Sequence, residues 1–184
     1  EITKYVTYLR EHDIPIYPPD INKSDVRFTV EGNGVRFGLC ALKGVGEEAT
    51  KAIVAERREH GDYKSIEDLC DRMDGHILNK RIIESLIKAG AFDNFGHTRA
   101  SMMQIYEYIM ELTADAKKNR VGGQITIFGD GWGIPDPIAE IKYPDAPELE
   151  KKYKLALEKE VLGVYVTGHP LDGYENEYRN FNFN

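Results

Sequence analysis

Two short apolar stretches, Phe37-Gly38-Leu39-Cys40-Ala41-Leu42 and Ala49-Thr50-Lys51-Ala52-Ile53-Val54, flank a Gly44-Val45-Gly46 turn. Glycine on both sides of one valine fits a backbone that must bend tightly or let another molecule approach closely, and Val45 can plug the bend into a core. The spacing predicts helix, hairpin, helix. In that arrangement the turn's N–H groups and the N-terminus of the second helix meet at one exposed point, where their partial positive charge suits a phosphate oxygen. Such a turn would hold a nucleic-acid backbone without reading bases. The same residues also fit a plain connector between antiparallel helices. Glu47 and Glu48 already satisfy the helix dipole and repel phosphate, and Lys43, Lys51, Arg57 and Arg58 are balanced by Glu47, Glu48, Glu56 and Glu59. On this segment alone both readings stand open.

With 184 residues the chain is long enough for one moderate domain or two small ones with a real core. Its net charge of −7 argues against general electrostatic capture of nucleic acid by the whole chain, so any such contact is expected to be local. Cys40 and Cys70 stand in apolar helical contexts without metal-ligand spacing and are expected to be small core residues in a reducing compartment. No Cys/His cluster points to zinc, and neither a long apolar run nor a secretory signal is present, which leads to the expectation of a soluble, cytoplasmic protein without a membrane partner. The start at Glu1-Ile2-Thr3 and the repetitive end Asn180-Phe181-Asn182-Phe183-Asn184 suggest a fragment of a larger, multidomain protein.

Residues 3–12 are expected to form a short helix carrying Val6 and Leu9, and the prolines of Ile14-Pro15-Ile16-Tyr17-Pro18-Pro19 impose an extended segment. Val26, Phe28 and Val30 alternate with polar neighbours, Gly32-Asn33-Gly34 supplies a turn, and Val35-Arg36-Phe37 returns, which predicts a β-hairpin. After the first helical hairpin, Ser65-Ile66-Glu67-Asp68 has the form of a capping box for a helix ending near Met73, and Asn79 can cap the next. There Ile82, Ile83, Leu86 and Ile87 form an apolar stripe that Gly90 stops, and a further helix from about Thr98 carries Met103, Tyr106, Ile109 and Met110. The unit from Ile82 to Met110 reads as a second, degenerate hairpin, in which Lys80, Arg81, Lys88 and Arg99 outnumber Glu84 and Asp93. It fits either a second grip on the same duplex or a helical bundle with a solvated basic face. The fold class is therefore mainly α with a small β-hairpin, built around tandem helix-hairpin-helix units.

From Ala114 to Pro147 the composition turns to glycine and proline, and a long segment of this kind is functional or mobile. Within it lies Gln124-Ile125-Thr126-Ile127-Phe128, bracketed by Gly122-Gly123 and Gly129. An extended peptide of this form can dock Ile127 and Phe128 into a partner's pocket while Gln124 bonds at the rim, or the same side chains can pin the loop onto its own core. Helix is expected again near Glu148, with Leu149, Tyr153, Leu157 and Val161 on one face and an end at Gly163, followed by a strand at Val164-Tyr165-Val166.

Four segments in fixed order resemble the bacterial DNA polymerase III alpha subunits of the DnaE type: Ile16-Tyr17-Pro18-Pro19-Asp20-Ile21-Asn22-Lys23-Ser24, Arg36 to Gly46, Leu86-Ile87-Lys88-Ala89-Gly90-Ala91-Phe92-Asp93, and Gly168-His169-Pro170-Leu171-Asp172. The resemblance implies the end of a fingers region at 1–38, a tandem helix-hairpin-helix domain at 39–113, a loop with a clamp-binding peptide at 114–147, and at 148–184 a helix and strand leading to an oligonucleotide-binding fold. It implies contact of duplex-DNA phosphates with Lys43, Gly44, Val45, Gly46 and Ala49, with Lys51 nearby, and Lys88 and Arg99 of the second hairpin join them as candidates. It also implies docking of Gln124, Ile125, Ile127 and Phe128 on the sliding clamp (beta subunit), with Ile127 standing where Leu is more usual. The parent chain would be a DNA-directed DNA polymerase, a nucleotidyltransferase working with Mg2+ among other replisome subunits. No carboxylate cluster here matches the family's metal-binding aspartates, so no catalytic residue, metal or cofactor is expected in this segment.

Two other readings compete. A protein-interaction bundle without a DNA role fits the acidic balance. Helix-hairpin-helix DNA glycosylases place a catalytic aspartate roughly where Asp68 falls and flip a base into a pocket. Their lysine would fall on Thr50, and Asp68 is better explained by the Ser65 cap.

Overall fold

The computed structural model describes residues 2–121, 138 and 141–170. Helix α1 (Ile2–Glu11) buries Val6, and the prolines after it hold the chain extended into strand β1 (Ile16–Tyr17). Strands β2 (Thr29–Glu31) and β3 (Gly34–Arg36) form the expected hairpin, with Gly32 at φ +58° in its turn. The sheet order is β1-β3-β2, and β1 runs parallel to β3 with Ile16 opposite Val35. A side chain at Gly34 would strike the Pro15 carbonyl, so glycine there lets β1 close on the hairpin. Arg36 is buried behind β1, where its guanidinium grips Glu31 through two 2.6 Å bonds and donates to the Pro18 carbonyl.

The first arm of the predicted helical hairpin is not an α-helix. Only a 3₁₀ turn (Leu39–Ala41) precedes the Gly44 bend. The Leu39 and Cys40 N–H groups donate to the carbonyls of Asp25 and Val26, and Gly38 lies so close to the backbone of Arg27 and Phe28 that no Cβ would fit. Pinned to the strand connection, residues 37 and 38 have no freedom to start a helix. The second arm, α2 (Glu47–His60), ends at Gly61 with φ +86°.

The caps read from the sequence are present. Ser65 accepts the Asp68 N–H at the head of α3 (Ile66–Arg72), and Asn79 accepts the Ile82 N–H at the head of α4 (Lys80–Ala89). Gly90 closes α4 in the left-handed conformation, its N–H bonded to Ile87 and that of Ala91 to Leu86. A 3₁₀ turn (Asp93–Phe95) leads to α5 (Arg99–Val121), and α6 (Lys151–Leu162) closes the described fold. Helices α3 and α4 pack on α5, α6 packs on α4, and one core runs from Val6 through Phe37, Val45, Ile53 and Leu86 to Val164. Each large aliphatic side chain buried there contributes about 1.5–3 kcal/mol.

Helix α6 presents a different face from the one expected. Leu155, Glu158, Val161 and Leu162 are buried, Leu149 and Leu157 are half-buried, and Tyr153 is 64% exposed. The helix is turned so that Glu158 meets a buried arginine, described below. Val164-Tyr165-Val166 forms no strand. Gln124 to Phe128 and Leu171-Asp172 lie outside the described residues.

Candidate nucleic-acid interface

The Gly44–Ala49 segment is built as its composition predicts. Val45 is buried in the core, and its N–H donates to the Leu42 carbonyl, while the Lys43 N–H donates to the Val161 carbonyl of α6. These two bonds fix the bend. Gly44 takes φ +87°, a conformation that disfavours any side chain. Gly46 is exposed, has open space where a Cβ would stand, and caps α2 with no side-chain hydrogen bond. The first backbone donor used inside α2 is that of Thr50, to the Gly46 carbonyl. The N–H groups of Gly44, Gly46, Glu47, Glu48 and Ala49 have no acceptor among the described residues. Ala49 is itself buried, so it offers the bend its main chain and no side chain.

Charge around the bend is mixed: Glu47 and Glu48 open α2, and several cations stand close to them. Lys51 pairs with Glu47 at 2.9 Å, and that hydrogen bond holds the Glu47 carboxyl below its ordinary range. Lys43 is exposed and unpaired among the described residues. Arg27, exposed two residues before β2, exerts a further attraction on Glu47. Arg81 and Ser85 of α4 lie directly over the bend, with Arg81 Nε and Ser85 Oγ each 3.0 Å from where a Cβ on Gly44 would stand. Sequence reasoning counted Arg81 only among the charges of a second hairpin and passed over Ser85. Spacing within α4 gives no signal that these side chains cross to the first bend.

A family model described as the helix-hairpin-helix motif matches residues 13–102. DNA polymerase III subunit alpha of Mycobacterium tuberculosis (strain CDC 1551 / Oshkosh) is 40% identical over 172 residues, covering 92% of this chain and 14% of that protein. This chain is a homologue of part of the DNA polymerase III alpha subunit. The subunits of the same name from Vibrio cholerae and Thermus aquaticus are 40% and 37% identical, covering 89% and 95% of this chain and 14% of each relative.

The second hairpin is organised differently from the first. Arg99 is 1% exposed, and its guanidinium lies against Gly90, binding Asp93 at 2.7 and 2.9 Å, Glu158 at 3.3 Å and the Lys88 carbonyl at 3.1 Å. Burial disfavours its charge, but the bonds to Asp93 and the two carboxylates outweigh that and raise its pKa. Lys88 is held between Glu84 at 2.8 Å and Glu160 at 2.9 Å. The basic face expected from Lys88 and Arg99 is thus absent, because both cations are consumed in tying α4, α5 and α6 together. Lys80, one residue before Arg81, likewise pairs with Glu107 and Glu111 of α5.

Asp20, Asp25 and Asp68, the last of them at the place of a glycosylase's aspartate, are engaged in the fold. Asp20 caps its own turn through the Asn22 and Lys23 N–H groups and receives Asn94, while Asp25 pairs with Arg58. Asp68 accepts the Lys64 N–H and faces Arg72, as part of the α3 cap. Among the described residues no group of three or more His, Cys, Asp and Glu side chains is placed to hold a metal ion. Cys70 is buried, and burial pushes its thiol up to about 12, while Cys40 is half-buried. No helix among the described residues is long and apolar enough to cross a membrane.

Proposed function

We propose that this chain is the duplex-gripping segment of a replicative, template-directed DNA polymerase of the bacterial cytoplasm, and that it carries no nucleotidyl-transfer chemistry of its own. The relatives named DNA polymerase III subunit alpha support the parent activity. One observation carries the local role: five backbone donors at the Gly44 bend and the α2 N-terminus stand without acceptors beside an unpaired Lys43. Donors of this kind bind phosphate oxygens of any sequence, which is what a polymerase that moves along its product requires. In the working enzyme this segment would hold the duplex while other parts of the parent chain, with Mg2+, form the new bond. Gln124, Ile125, Ile127 and Phe128 would tether it to the sliding clamp by β-strand or pocket docking.

Titration of the 15N-labelled chain with a short duplex at low salt tests the first part. The amides of Gly44, Gly46, Glu47, Glu48 and Ala49 are expected to shift together, and silence there would favour the protein-interaction bundle. For the clamp, the Gln124→Ala/Phe128→Ala variant is expected to lose binding to the purified beta subunit while keeping its helix content. Undiminished binding by that variant would refute the peptide assignment.

A further inference from the structure

We infer that Arg81 and Ser85 of α4 complete the phosphate site, so that one DNA phosphate is gripped from two sides: by the main-chain donors of the Gly44–Ala49 bend and by a guanidinium and a hydroxyl reaching across from the second helical unit. The inference rests on the duplex-binding reading above. Ser85 is 6% exposed, and its hydroxyl, which still touches solvent, makes no hydrogen bond to the protein among the described residues. A buried helical hydroxyl ordinarily bonds back to the carbonyl four residues earlier, as Thr50 does to Gly46 at 2.9 Å and Thr113 to Ile109 at 2.8 Å. Ser85 instead lies beside Gly44, with its donor unspent.

Arg81 supplies the charge. It stands in the first turn of α4, a turn without acidic residues, where a cation opposes the helix dipole and has no partner among the described residues. Its neighbours Lys80 and Lys88 are both neutralised by glutamates. At the second hairpin the equivalent space over Gly90 is filled by Arg99, whose charge is already spent on Asp93 and Glu158. The two turns therefore use one device for two purposes: an arginine laid on a left-handed glycine closes the second internally, and at the first it is left to meet an oxyanion. A planar guanidinium can give two parallel N–H bonds to a phosphate, the hydroxyl a third, and the absence of a side chain on Gly44 leaves room for both groups.

Fluorescence anisotropy of a labelled blunt duplex, measured with the full 184-residue chain across a salt series, tests this. Arg81→Gln is expected to bind about 5–10-fold more weakly and to lower the slope of log K against log salt by about 0.9, the release of one phosphate's counterions. Ser85→Ala is expected to bind about 2–5-fold more weakly with the slope unchanged, because a neutral hydroxyl displaces no counterion. Arg81→Lys should restore the slope and only part of the affinity. If Arg81→Gln and Ser85→Ala both match the parent while Lys43→Gln is weakened, the phosphate lies elsewhere on the bend and the inference falls with the duplex reading intact. If the parent chain shows no salt-dependent duplex binding, the duplex reading fails and this inference with it. Should Ser85→Ala lose its helix content, the two Arg81 variants alone decide.

Discussion

Removing the buried carboxylate of Glu158 is expected to be among the most damaging single changes in this fold. Glu158 is fully buried and accepts hydrogen bonds from both terminal nitrogens of Arg99 at 3.3 Å, from the Thr167 hydroxyl at 2.7 Å, and from the N–H groups of Thr167 and Val166 at 3.2 and 3.4 Å. At the 3.3 Å separation the attraction to Arg99 is on the order of 5 kcal/mol for an effective dielectric of about 20, and the cost of desolvating Glu158, which Ala would regain, offsets several kcal/mol of it. Val166 and Thr167 are not buried, so water can replace the acceptor they lose. Asp93 and the Lys88 carbonyl still hold Arg99, which moderates the penalty. Glu158→Ala should therefore cost about 3 kcal/mol, the low end of the range for breaking a buried pair. With a urea m-value of about 2 kcal/mol/M, the unfolding midpoint should drop by about 1.5 M. The Arg99→Met/Glu158→Leu double variant should recover most of this, since an apolar pair removes both charges together. A loss below about 0.5 kcal/mol in Glu158→Ala, or a double variant no more stable than the single, would refute the reasoning.

Two further outcomes follow from the electrostatics. Burial acts upward on the Glu148 carboxyl, but the N–H groups of Leu149 and Arg99 and the Lys154 ammonium outweigh it and hold the group below its ordinary 4.5. A carboxylate depressed in the folded state stabilises it above the unfolded pKa and loses that contribution as pH falls, so Glu148→Gln should flatten the decline in thermal midpoint between about pH 5 and pH 3. With its thiol pushed up to about 12 inside the core, Cys70 should resist iodoacetamide in the native protein at pH 8 while Cys40 is labelled first, and peptide mass spectrometry reads the order directly.

Features governed by a few adjacent residues were legible in the sequence. The Ser65 and Asn79 caps, the left-handed stop at Gly90 and the Gly32-Asn33 hairpin turn depend on local chemistry, and the structure carries each where it was expected. Features set by distant partners were not. The parallel pairing of β1 with β3 depends on Gly34 admitting Pro15, and the rotation of α6 depends on Glu158 finding Arg99, 59 residues away. Charged side chains are ordinarily taken as solvent-facing, so neither the burial of Arg99 nor the consumption of Lys88 could be foreseen from composition. At the interface the bend was evident from Gly44-Val45-Gly46, while the approach of Arg81 and Ser85 arises only once α4 packs beside it.

The amide preceding Gly44 hangs from the carbonyl of Val161, near the end of α6. Tension applied to the polypeptide beyond Val164 would first load the Glu158 anchor on Val166 and Thr167, and past that would pull on the peptide that shapes the bend. Mechanical strain applied there thus has a short route to the Gly44 bend, through one carboxylate and one backbone hydrogen bond.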